Sequence, residues 1–100
     1  MEDVIVRAPQ HLGVQTRAAF RDEVLAALAR LAESKAAGRL VIDMGATQRI
    51  DSAGLGTLVM LQLRAAERKR SVVLRGASEE IRFLLLMTKL EERFVIEPRP

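Results

Sequence analysis

The 100-residue sequence predicts one α/β domain. About four strands form a mostly parallel or mixed sheet with helices packed on it, in the order β-α-β-α-β-α-β. Three observations carry this prediction. The continuous apolar runs Leu40-Val41-Ile42 and Val72-Val73-Leu74 suit strands buried on both faces. Longer segments between such runs carry apolar residues at helical spacing. Apolar residues make up 49% and charged residues 29%, the balance of a globular chain that closes a core without staples.

The elements follow in order. Val4-Ile5-Val6 is a β-branched run ending before Pro9 and reads as a strand. Phe20, Val24, Leu28, Leu31 and Ala32 define an amphipathic helix from about Thr16 to Ala37, with Thr16 as its N-cap and Gly38 as its stop. The Leu40 run, ending at Asp43, is the second strand. Leu55, Leu58, Val59 and Ala66 mark the inward side of a helix that reaches about Lys69. The Val72 run is the third strand, closed by Gly76. Ser78 caps a helix whose first turn holds Glu79 and Glu80, where negative charge is favoured. Phe94-Val95-Ile96 is the last strand, and residues 97–100 read as a frayed tail of a single domain over 1–100.

Composition removes several functions. There is no cysteine, hence no disulfide framework and no thiolate chemistry. The start MEDVIVRAPQ has no basic segment followed by a long apolar one, so a secretory signal is not expected. Apolar runs such as Phe83 to Met87 are too short to cross a bilayer. The expectation is a cytoplasmic protein without membrane insertion. The net charge of +3 raises nucleic acid as a partner, but Arg68-Lys69-Arg70 is the one compact basic cluster, and it suits the negative end of a helix. The three aromatic residues, Phe20, Phe83 and Phe94, offer no stacking surface, so direct nucleic-acid binding is not expected.

Chemistry concentrates in Ile50-Asp51-Ser52-Ala53-Gly54-Leu55-Gly56, between the Asp43 strand and the second long helix. In open parallel sheets, sites gather outside the carboxyl ends of strands. Ser52 falls at or near the N-cap of the helix, with its hydroxyl toward water. A phosphate there would meet free N–H groups and the positive end of the dipole, while Asp43 and Asp51 act as nearby negative charges. The plainer alternatives are that Ser52 is a helix cap, Asp51 a turn residue, and Gly54 and Gly56 spacers for close packing. No Gly-Lys-Ser/Thr triplet and no G-x-S-x-G order exist. Nothing in the sequence places His11, the one histidine, beside Ser52 as a base. No cluster has metal-ligand spacing. A non-enzymatic module with no cofactor and no metal is expected.

Asp43, the Asp51-Ser52-Ala53-Gly54-Leu55-Gly56 hexapeptide, and the later Leu86-Met87-Thr88-Lys89-Leu90 with Phe94 together resemble a STAS domain, the fold of bacterial anti-sigma factor antagonists. The resemblance covers about residues 39 to 97. It implies that Ser52 matches the serine phosphorylated by a partner kinase, itself the anti-sigma factor, and that Asp43, Asp51, Ala53 and Gly54 surround that phosphosite. It implies that the unmodified form binds the anti-sigma factor and frees a sigma factor, and that phosphorylation releases it. The same family includes subunits that dock on a transporter ATPase of the lipid-transport ABC type, a second possible partner. Direct binding of a nucleotide or anion at the Ser52 helix is a third.

The chain departs from the family at several positions. HLGVQT lacks the acidic residue usual before the first helix, and only one clear strand precedes that helix. Arg49 replaces an apolar residue, Gly45 a serine and Lys89 a glycine. Counting helix faces leaves Ala53, Thr57, Met60 and Arg64 outward. With Arg49, Ser52 and Gly54 they make the expected partner-binding set.

Overall fold

The computed structural model describes residues 3–33 and 38–99. Chain order is β1 (Val4–Arg7), β2 (His11–Leu12), α1 (Arg17–Glu33), β3 (Leu40–Asp43), β4 (Arg49–Ile50), α2 (Ser52–Glu67), β5 (Val72–Arg75), α3 (Glu79–Met87) and β6 (Val95–Glu97), with a 3-10 turn at Glu91–Arg93. Strands β1, β3, β5 and β6 form one sheet in that order, every pair parallel. The expected β-α-β-α-β-α-β order holds. The two-residue strands β2 and β4 add a second, parallel pair that sequence reading missed.

Strand alternation separates the two faces of the main sheet. Val6, Leu40, Ile42, Val72 and Leu74 join Phe20, Val24, Leu28, Leu58, Leu61 and Leu85 in the core under the helices. The opposite face carries Ile5, Val41, Val73 and Val95, side by side in register. Val41 and Val73 are fully buried there. Arg39, beside β3, reaches past β5 to Glu97 on β6 at 2.7 Å and holds Asp3 at 3.0 Å. Arg75, on β5, bonds Glu97 at 3.0 Å and approaches Asp3 at 3.9 Å. Parallel sheets ordinarily have both faces covered. Here two arginine stems and their carboxylate partners roof the central valines.

Several expectations need correction. Ala27 is buried in α1 in place of Ala32, which is exposed. Thr16 precedes α1, but its hydroxyl accepts from Gly13 N–H at 3.0 Å and donates to the His11 carbonyl at 2.6 Å, tying the loop rather than capping the helix. The expected end of α1 near Ala37 lies outside the described residues. The tail is held as far as Arg99, whose guanidinium donates to the carbonyls of Gly45 and Gly76. The basic cluster also has a specific task. Arg70 donates to the carbonyl of Leu31 in the last turn of α1, at 2.8 Å, and to that of Gly38 before β3, at 2.9 Å. No helix among the described residues is long and apolar enough to cross a membrane.

Candidate functional site

Two loops at the carboxyl ends of β1 and β3 meet through the small β2–β4 ladder. Gln48 N–H donates to the Gln10 carbonyl and Asp51 N–H to the Leu12 carbonyl. This pairing places the start of α2 directly against the loop that leads into α1. Two glycines permit the contact. A Cβ on Gly54 would overlap the Leu12 carbonyl and come within 2.9 Å of the Ile50 side chain; one on Gly13 would overlap the Asp51 carboxylate. Gly56 meets nothing within 4 Å, so only the first glycine of the hexapeptide is a packing residue.

Asp51, not Ser52, is the N-cap of α2. Its extended backbone (φ −93°, ψ −178°) precedes the helix, and Oδ1 accepts from Gly54 N–H at 2.9 Å. Oδ2 accepts from Val14 N–H at 3.2 Å and lies 3.9 Å from His11 Nε2. The Gly54 amide, followed by those of Val14 and Ala53 and by the His11 side chain, holds the Asp51 carboxyl below the usual carboxylate range, against a smaller opposing effect of burial. Ser52 is therefore the first helical residue and is exposed. The capping role that competes with modification of this serine is taken by its neighbour.

The predicted set divides. Arg49, Ser52 and Arg64 are exposed, and Ala53 is half-buried. Gly54 is buried against the Leu12 backbone. Thr57 faces inward, its hydroxyl donating to the Ala53 carbonyl at 2.9 Å, and Met60 packs on the core. The outward face expected of α2 is thus about one residue out of phase: its buried stripe is Gly54, Thr57, Leu58, Leu61 and Ala65, and Ala66 is exposed. Asp43 closes β3 with its Oδ1 accepting from Gly45 N–H at 2.9 Å. Among the described residues, no hydrogen bond or ion pair joins Asp43 to Asp51 or Ser52. Sequence reading missed His11 and Val14, which flank Asp51 only through the β2–β4 pairing. No group of three or more His, Asp or Glu residues among those described is arranged to hold a metal.

The family model described as "Mlab, STAS domain" matches residues 2–97. The chain belongs to this STAS family. Solved STAS-fold structures agree with that membership. An anti-sigma-factor antagonist (STAS) domain protein from Planctomyces limnophilus superposes with a TM-score of 0.79 at 18% identity, covering 96% of this chain and 82% of that one. A candidate anti-sigma factor antagonist from Thermotoga maritima gives 0.78 at 19% identity, covering 95% and 78%. At such identities the likeness is one of fold. No curated protein matches the sequence. A second strand does precede α1, as β2, while its loop lacks an acidic side chain.

Proposed function

We propose that this STAS domain is a regulatory docking module whose surface around Ser52 binds an anti-sigma factor kinase when unmodified and releases it when Ser52 is phosphorylated. The observation that carries the reading is the position of Ser52, exposed at the first turn of α2 with the cap supplied by Asp51. A hydroxyl without a capping task is available to a kinase. A phosphate there adds nearly two negative charges beside the already ionised Asp51 and must be desolvated in any packed contact. Arg49, Ala53 and Arg64 are the accessible neighbours in this surface; Gly54, Thr57 and Met60 support it from beneath.

A second reading is docking on a transporter ATPase without a phosphate switch. The match to the Mlab branch of STAS domains and the absence of an acidic residue in HLGVQT favour it. Capture from host lysate on wild type, Ser52→Ala and Ser52→Asp, with identification by mass, separates the two. Loss of a kinase-like ATPase on Ser52→Asp alone supports the switch. Retention of one transporter ATPase by all three replaces it with the second reading.

A further inference from the structure

We propose that the outer edge of β1, with the groove between it and α1, is a self-association surface on which a second copy of this chain adds its own β1 antiparallel. The backbone carries the first part of the inference. Val4 N–H donates to the Arg39 carbonyl and Ala8 N–H to that of Asp43, so Val4, Val6 and Ala8 turn their backbone groups toward β3. By strand alternation, the N–H and C=O groups of Ile5 and Arg7 point out of the sheet, and no described residue pairs with them. The opposite edge is blunted. There the Glu97 carbonyl accepts from Gly76 on the β5 side, so within β6 only Ile96 faces out, and Pro98 follows. On β1 the Ile5 side chain is 56% exposed on the open face of the sheet. On the helix side, a groove of about 390 Å³ runs along the edge, lined by Ile5, Val6, Arg7, Glu23, Ala26 and Arg30.

One two-fold axis satisfies both the backbone and the groove. Placed at Val6, perpendicular to the sheet, it sets Ile5 opposite Arg7 of the other copy, and the two residues exchange N–H···O bonds in both directions. It keeps both α1 helices on the same side of the joined sheet, running antiparallel, with the small side chain of Ala26 beside the axis. Glu23 and Arg30 lie three residues before and four after Ala26, so each Glu23 meets the Arg30 of the other copy. Neither makes an ion pair within its own chain among the described residues. The remaining charges nearby fit the same arrangement. The two Arg7 lie diagonal to one another, and each neighbours Asp43 of its own β3 in register. Asp22 is engaged with Arg21 at 3.3 Å. Glu33, at the end of α1, comes level with Ala19 and Phe20 of the other copy, where no like charge stands. A four-residue edge and one helix stripe fall short of the ~800 Å² per partner of a tight complex, so the dimer is weak, with a dissociation constant on the order of 10–100 µM. Neither Ser52 nor Arg49 lines this groove, so the inference is independent of the reading of Ser52.

Sedimentation velocity on the purified chain between about 5 µM and about 1 mM, with amide hydrogen exchange at both ends of that range, tests it. The wild type should shift from monomer to dimer, and exchange of the Ile5 and Arg7 amides should slow at least about threefold at the higher concentration. Glu23→Arg and Arg30→Glu should each weaken the homodimer. An equimolar mixture of the two variants should associate at least about threefold more tightly than either alone, because the mixed pair restores both opposite-charge contacts. Both side chains are exposed on α1, so neither change reaches the core. A wild type that stays monomeric throughout, a dimer whose Ile5 and Arg7 amides exchange as fast as in the monomer, or a mixture no tighter than its parts would overturn the proposal.

Discussion

Two glycines in one hexapeptide carry different constraints. Gly54 lets the first turn of α2 touch the Leu12 backbone; Gly56 faces open space. Gly54→Ala should destabilise the chain by about 2 kcal/mol or more, since the obstructing atom is backbone. Gly56→Ala should be neutral or stabilise by up to about 1 kcal/mol, because alanine is the better helix residue. Denaturant unfolding of both variants checks the pair. The sequence marked this stretch as the site, but not the division of labour within it. Asp51 and Ser52 are both good caps, and only the approach of Val14 N–H and His11 makes Asp51 the one that is fixed on both sides. Those partners come from a loop far away in sequence, which local pattern cannot bring near.

Element by element, long apolar runs were readable and short or disguised ones were not. The four main strands appear where β-branched runs predict them. Strands β2 and β4 have two residues each, too short to show alternation. The phase of α2 is not legible in the sequence because its buried stripe begins with Gly54 and Thr57, which do not look apolar, while exposed Leu63 does. Lys89 shows the reverse case, a departure in sequence with a visible structural cost. It follows the end of α3 with φ +60°, the left-handed region that favours the glycine it replaces. Lys89→Gly should raise stability by about 1 kcal/mol, read from chemical unfolding.

For the whole molecule, the roof of ion pairs over the open sheet face joins β1, β3, β5 and β6 through Asp3, Arg39, Arg75 and Glu97. Hydrogen bonds from Arg39 and then Arg75 lower the Glu97 carboxyl from its ordinary 4.5, and Arg39 lowers that of Asp3 from 3.8. A carboxylate depressed in the folded state contributes stability that is present above its unfolded value and lost as pH falls through its folded one. The melting temperature should therefore hold from neutral pH to near 4.5 and decline below it. Glu97→Gln should melt lower at pH 7 and show a shallower acid decline; a decline as steep as wild type would remove the network from the account. This diagonal crossing of strands was hidden in the sequence, because sheet order decides which charged residues become neighbours.

The same topology brings the β1 and β3 loops together around α2, and the central claim concerns the serine that they expose. The most direct measurement is peptide mapping by mass spectrometry of the chain recovered after incubation with ATP and the ATPase that it captures. The account predicts phosphate on the peptide containing Ser52, none on the Ser52→Ala chain, and release of the ATPase as modification proceeds. A chain that stays bound and unmodified, or that carries its phosphate elsewhere, would contradict it.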